Sequence, residues 1–397
     1  MDIQEITQGF KNVYIYGGGV LGLAFLSDVR KKGIRIAGII DRRGRELVCG
    51  AEDYNGIPIY EDIEELGIKF SESIFAITST NPQTIREIAQ KIEEAGAKYF
   101  IVNDGKSVYI DISGVCNLRC KSCQVCNHDK AMYQYTDRGF MSPLLYEKII
   151  AKIKREIPDN KSIYLYNTGD PLLNKECSQI IEITHKYGMY AIISTNLSME
   201  VDLDSLIKAN PDCIKVSLSG FNQEIYSTTH NGGNVELVKK NLLKIKELIA
   251  KYNATTNIII GYHLYVNNSG SEQINMVEFC RKCGFIFQST TALYANPFKR
   301  WKLTDFSKDD IEFINTYYEY PNKILDEKVP DAPIYECGYL DNGLFIDYDG
   351  KMLLCCVPMH KDAIYTDYLS SNMDEINQKR RSNWICHECM RHGANFI

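Results

Sequence analysis

Between residues 11 and 105 the apolar positions alternate between two periods. KNVYIYG (11–17) is a β-branched and aromatic run that stops at glycines, and VLGLAFLSDVRKKG (20–33) spaces its apolar residues along one helix face. IRIAGIID (34–41) predicts a second strand ending in Asp41. SIFAITST (73–80), TIREIAQKIEEAG (84–96) and KYFIVND (98–104) repeat the order strand, helix, strand. Such alternation predicts an α/β unit with a parallel sheet over residues 1–105.

A longer series follows over 106–325. Strands are predicted at SVYIDIS (107–113), SIYLYNTG (162–169), YAIISTN (190–196), CIKVSLSG (213–220) and TTNIIIGYHLYV (255–266). Helical stretches separate them, among them LLYEKIIAKIKREI (144–157), CSQIIEITHKYG (177–188) and NVELVKKNLLKIKELIAKY (234–252). About six such units suit an open barrel with its active site at the C-terminal strand ends. The tail, 326–397, is short and rich in cysteine, with turns at LDNG (340–343) and DYDG (347–350). Its apolar content is too small for a large core, so it calls for a staple such as a metal cluster.

Composition narrows the class. Of the 397 residues 45% are apolar and 24% charged, as in ordinary globular proteins, and the net charge of −6 argues against gripping nucleic acid or an acidic membrane. The first residues, MDIQEITQGF, lack the basic segment and apolar core of a secretory signal. No apolar run approaches the roughly 20 residues that cross a bilayer. Fourteen cysteines in a chain read this way point to the reducing cytoplasm, with thiols as metal ligands or small buried hydrophobes.

Gly17, Gly19 and Gly22 form a GxGxxG between a strand and a helix, with Asp41 closing the next strand. The glycines would let a pyrophosphate approach the helix N-terminus and Asp41 would take a ribose hydroxyl; the alternative is a glycine turn used only for packing. The segment resembles the N-terminal nucleotide-sugar-binding domain of bacterial sugar acetyltransferases, which implies a Rossmann-like unit that binds a nucleotide-sugar or related nucleotide ahead of NAD.

GVCNLRCKSCQVCNH (114–128) carries Cys116, Cys120 and Cys123 as CxxxCxxC, just after the first strand of the long series. Three thiolates can bind three irons of a 4Fe–4S cube and leave the fourth open. The alternative is zinc, completed by Cys126 or His128, although structural zinc usually draws on two separated hairpins. The chain resembles the radical S-adenosylmethionine (SAM) superfamily in this loop and in four further strand ends. TGDPLL (168–173) is similar to the motif that orients the methionine amino group, and the resemblance implies that role for Thr168, Gly169 and Asp170. STN (Ser194, Thr195, Asn196) resembles the ribose-contacting segment. VSLSG (216–220), with Ser217, and YVNN (265–268) resemble strand ends near the adenosine. Two departures stand out: Ser122 precedes the third cysteine where an aromatic residue is usual, and Asp170 replaces the commoner Glu.

In the tail, Cys337 and Cys355, with Gly350 five residues before the second, precede the CxxC of Cys386 and Cys389. This resembles the SPASM and shorter twitch regions and implies one auxiliary 4Fe–4S cluster on four thiolates, with zinc on the same four as the alternative. Cys280 and Cys283 lie in a helix ending at Gly284 and read as packing residues; Cys49, Cys177 and Cys213 read as small hydrophobes. Cys126 and Cys356 fit neither pattern, and His128, His360 and His387 read as surface or supporting groups.

The resemblance implies an enzyme that cleaves SAM reductively and abstracts hydrogen from a small molecule such as a sugar or nucleotide-sugar. The expected outcome is oxidation or epimerisation, with flavodoxin or ferredoxin as electron donor. A peptide maturase is the alternative within the superfamily, and a metal-binding nucleotide sensor the alternative outside it.

Overall fold

The computed structural model describes residues 3–103, 106–123, 138–292, 294, 299, 305–325, 337–356 and 361–391. Cys126, His128 and His360 lie outside them.

The first unit runs α1 (Ile3–Thr7), β1 (Asn12–Tyr16), α2 (Val20–Lys31), β2 (Gly38–Ile40), β3 (Asp53–Tyr54), β4 (Ile57–Tyr60), β5 (Ser73–Ile77), α3 (Pro82–Glu94) and β6 (Lys98–Ile101). Its six strands lie in the order β3-β4-β2-β1-β5-β6, parallel except for the β3–β4 hairpin. The expected second strand, 34–41, contracts to Gly38–Ile40. The hairpin, whose two strands are too short to show a period, was absent from the sequence reading.

The second unit runs β7 (Ser107–Ile110), α4 (Pro143–Glu156), β8 (Ser162–Tyr164), α5 (Cys177–Lys186), β9 (Tyr190–Thr195), α6 (Leu203–Lys208), β10 (Cys213–Ser217), α7 (Gln223–Thr229), α8 (Val235–Tyr252), β11 (Asn257–Leu264), α9 (Ser271–Cys283) and β12 (Ile286–Thr291). Local chemistry sets the helix ends. Ser142 and Asn234 cap α4 and α8 with their side chains, and Gly284 stops α9 in the left-handed region at φ 73°. Strands β7 to β12 pair in sequence, all parallel. Three tail strands, β13 (Gly343–Ile346), β14 (Lys351–Leu353) and β15 (Ile364–Asp367), continue the same sheet. β13 pairs parallel with β7, and the other two follow antiparallel. The tail is thus hydrogen-bonded into the barrel sheet.

Strand alternation sorts the barrel residues into two faces. Ile163, Leu165, Ile193, Ile214, Val216, Ile258 and Ile260 pack outward on the helices. Tyr164, Tyr190, Ile192, Cys213, Ile259 and Ile286 face inward and share one core with Leu23 and Leu26 of α2. Polar contacts fix this junction. The Asn257 amide donates to the Leu23 carbonyl at 2.8 Å, Ser27 and Thr255 join their hydroxyls at 2.8 Å, and Lys31 meets Asp212 at 2.8 Å. Because Tyr190 and Asn257 begin their strands and Asp212 immediately precedes β10, α2 closes the barrel at its N-terminal end. Among the described residues no helix is long and apolar enough to cross a membrane.

Candidate active site

Cys116, Cys120 and Cys123 lie on the loop leaving β7, at the end of the barrel opposite α2. All three are half-buried and free of disulfides. Burial, and then the charges of Asp170 and Cys123, push the Cys116 thiol up to about 11, and burial with the charges of Cys123 and Cys116 pushes Cys120 up to about 12. The protein alone therefore keeps these thiols protonated; a bound metal centre would draw the protons off. Among the described residues no three His, Cys, Asp or Glu side chains converge enough to hold a single metal ion. A loop with three thiols within electrostatic reach of one another suits a cluster larger than one ion.

TGDP is built around close backbone approach. A Cβ on Gly169 would sit 1.8 Å from the Ser113 carbonyl oxygen, so only glycine lets the β8 end meet the β7 loop. The Asp170 N–H donates to the Val115 carbonyl at 2.8 Å. Beneath, Asp111 accepts from the Thr168 N–H at 2.9 Å and from the Thr168 hydroxyl, while Arg138 also reaches that hydroxyl. Burial, and then the charge of Asp347, pushes Asp111 up to about 6.

The same site brings Thr195 and Asn196 to Asp170. The carboxylate accepts from the Thr195 hydroxyl at 2.9 and 3.0 Å, from the Asn196 N–H at 2.8 Å and from the Asn196 amide at 2.7 Å. The Asn196 amide also donates to Asn117 at 2.9 Å and points at the Cys116 sulfur, 3.8 Å away. The cysteine loop, TGDP and STN therefore form one hydrogen-bonded assembly. VSLSG and YVNN are held separately: the Ser219 hydroxyl accepts from the His263 N–H, and buried Asn268 ties Ser219 and His263 carbonyls together at 3.1 and 2.8 Å. Ser217 stands in register with Gly261, on the inward face.

An aromatic ring from elsewhere in the chain stands beside Ser122. The Tyr265 hydroxyl meets the Ser122 hydroxyl at 2.7 Å, and its ring packs edge-on against Tyr318 at 5.3 Å. Sequence reading placed Tyr265 in YVNN but not beside Ser122, and it missed Asp111 and Arg138, because no local spacing links any of them to the loop.

This arrangement coincides with what the sequence comparisons find. Residues 110–266 match the Radical SAM superfamily. Curated relatives at low identity include the tungsten-containing aldehyde ferredoxin oxidoreductase cofactor-modifying protein of Pyrococcus furiosus, 22% identical over 290 residues, covering 68% of this chain and 76% of that one. The probable GTP 3',8-cyclase of Methanocaldococcus jannaschii is 28% identical over 187 residues, covering 46% of this chain; the match spans 57% of the cyclase. Among solved structures, anSMEcpe with bound AdoMet aligns with TM-score 0.48 at 17% identity, over 73% of this chain and 84% of that one. Streptococcus suis SuiB bound to S-adenosylmethionine aligns with TM-score 0.47 at 14% identity, over 74% and 69%. The radical SAM match begins at the end of β7 and closes just beyond β11, so it spans the cysteine loop, TGDPLL, STN and VSLSG and ends within YVNN.

In the tail, Cys337, Cys355, Cys356 and Cys386 gather beside Tyr339. Cys386 senses the Cys337 charge, and Tyr339 senses Cys356, Cys355 and Cys337 after its own burial. Cys386 and Cys389 pack on Leu354, Ala363 and Ile385. Cys356, set aside in the sequence reading, lies within this group; burial raises its thiol to about 11 and Tyr339 hydrogen-bonds to it. Cys280 and Cys283 are buried in the barrel core, as are Cys49 and Cys177.

At the N-terminal glycine turn, Gly17 sits at φ 111°, and a Cβ on Gly22 would lie 1.9 Å from the Gly17 oxygen. Gly19 has no atom near its open side and precedes α2 without a side-chain cap. Asp41 accepts from the Gly18 N–H at 2.8 Å and grips Arg43 through both oxygens, at 2.7 and 2.9 Å. Burial raises Asp41, but the Arg43 and Gly18 bonds outweigh it and hold the carboxyl below its ordinary range. Any ribose reaching Asp41 would have to exchange with Arg43.

Proposed function

We propose that the chain is a radical SAM enzyme acting on a small molecule. The carrying observation is the convergence of the Cys116–Cys120–Cys123 loop, Gly169–Asp170 and Thr195–Asn196 at one end of a barrel closed at the other. In this reading the three cysteines hold a 4Fe–4S cluster, Thr168, Gly169 and Asp170 face the methionine end of SAM, and Ser194, Asn196 and Ser217 face its nucleoside. Bound there, the cluster and SAM supply a reductive cleavage that yields methionine and a hydrogen-abstracting 5'-deoxyadenosyl group. The chain's own residues orient and enclose: Gly169 admits close approach, Asp170 locks two motifs into one surface, and Tyr265 supplies an aromatic wall near Ser122. The barrel, shut by α2, keeps water from one side. Cys337, Cys355, Cys386 and Cys389 are assigned to one auxiliary 4Fe–4S cluster, which would supply an electron acceptor for a net oxidation; without that electron transfer the redox-neutral outcome would be an epimerisation. The N-terminal glycine turn is assigned to a nucleotide or nucleotide-sugar.

The test is anaerobic reconstitution with iron and sulfide, followed by SAM and dithionite. Formation of 5'-deoxyadenosine is expected; its absence, or a metal content of zinc with little iron, would sink the reading. A variant with Cys116, Cys120 and Cys123 all changed to Ala is expected to keep about four irons, one cube's worth. Retention of none would refute the auxiliary cluster.

A further inference from the structure

The inward face of β10 and β11 carries charge that none of the groups described above uses. On β10, Cys213 belongs to the inner core, so alternation turns Lys215 and Ser217 inward as well. On β11, Ile259 is inward, so Gly261 and His263 are too. Lys215 pairs with Ile259 in the parallel register, and its side chain runs across Gly261, where a Cβ would come within 2.7 Å of Lys215 Cε. The glycine leaves the lysine its path.

Lys215 is half-buried and makes no hydrogen bond or ion pair with any described residue. Burial alone lowers its pKa, since an ammonium deprived of water is costly without a partner. His263, two residues beyond Gly261, keeps an exposed edge, yet the protein packed around its imidazole, and then the Lys215 charge, depress it to about 4. The buried carboxylates nearby are engaged elsewhere: Asp170 with Thr195 and Asn196, Asp212 with Lys31 and His185, Asp111 with Thr168. The lumen therefore presents a cation with no counter-ion among the described residues, between the α2 floor and the strand ends that carry the cysteine loop.

We propose that Lys215 binds an oxyanion of the substrate, so that the enzyme acts on a small molecule bearing a phosphate or carboxylate whose charged end sits low in the barrel and whose reacting end points to the cysteine loop. This rests on the radical SAM reading of the site. His263, neutral over the physiological range, supplies a second polar contact beside the anion.

The experiment uses the full chain, with ribose 5-phosphate, gluconate and uncharged ribitol as probes in thermal unfolding. At saturation at least one anion is expected to raise Tm by about 1–3 °C while ribitol does not. A response to ribose 5-phosphate alone assigns a phosphate ester, and a response to gluconate alone assigns a sugar acid. Lys215→Met should lose the anion response and, freed of a buried unpaired charge, melt about 1–3 °C higher without ligand. Lys215→Arg should keep the response. No anion shift in the wild type, equal shifts with ribitol, or a ligand-free Lys215→Met protein that melts lower would overturn the proposal. Formation of 5'-deoxyadenosine by the wild type separates these failures from failure of the radical SAM reading itself.

Discussion

Asn196 approaches Asp170 twice, with its backbone N–H at 2.8 Å and its side-chain amide at 2.7 Å, and so fastens the end of β9 to the loop that follows β8. Asp170 in this position acts as a clasp between the end of β9 and the loop after β8. Its burial pushes the carboxyl up to about 6 even though the hydrogen bonds from Asn196, Thr195 and Leu172 oppose that rise. Asp170→Ala would leave the Asn196 and Thr195 donors buried and unpaired, at a cost of about 2–4 kcal/mol. The expected result is a lower Tm together with at least about a tenfold weaker affinity for SAM in equilibrium dialysis. A lower Tm with unchanged SAM affinity would confine Asp170 to a structural role.

The glycines of the N-terminal turn separate by what stands beside them. Gly22→Ala drives a methyl to 1.9 Å from the Gly17 carbonyl and is expected to destabilise by about 1–3 kcal/mol. Gly19→Ala meets nothing within 4 Å, and its φ of −76° suits any residue, so stability should change by less than about 0.5 kcal/mol. If the turn holds a pyrophosphate, Gly19→Ala should still remove the Tm shift caused by nucleotides. Chemical denaturation of both variants, with and without UDP-sugars, checks the pair.

Asp212 controls how the two units respond to acid. Burial raises its pKa, but the His185 bond at 2.9 Å and the Lys31 charge at 2.8 Å outweigh burial and hold it below the ordinary carboxylate value. A carboxyl depressed in the folded state contributes stability above its unfolded pKa, about 3.9, and loses it as pH falls through the lower folded value. Asp212→Asn should therefore cost about 3 kcal/mol at pH 7 and progressively less below pH about 4, as measured by urea unfolding across pH. A cost that does not vary with pH would remove Asp212 from the acid response.

His263 reports on Lys215. With the lysine replaced by Met, the charge that helps hold the imidazole near 4 is gone, and the His263 pKa should rise in an NMR titration. Enclosure is the larger cause, so the value should stay below the free-histidine figure of about 6.5. No change would mean that the two side chains do not meet in the lumen.

Much of this organisation was legible from residue order. Val20–Lys31 and Val235–Tyr252 follow their apolar spacing, and the cysteine loop and strand-end motifs announce themselves locally. The rest depends on which face of a strand turns inward. Cys-Ile-Lys-Val-Ser at 213–217 reads as an ordinary strand with a solvated polar side, and only the closure of the sheet turns Lys215 into the lumen. Tyr265 stands 143 residues from Ser122, so its place beside that residue has no local signature. Gly38–Ile40 is shorter than predicted because Ile34 turns back to the end of α2, its N–H on the Val29 carbonyl at 2.9 Å, so that bonding to β1 begins only at Ala37.

The seat of α2 on the barrel bears on how such a chain can be divided. Leu23 and Leu26 are wholly buried, in one core with inward-facing barrel residues. A barrel expressed from residue 106 onward would expose that apolar floor to solvent and open a second mouth at the end opposite the cysteine loop. The leading unit is then a foundation stone and not a detachable accessory, and exchanging it for another domain would require a replacement helix that fills the same opening.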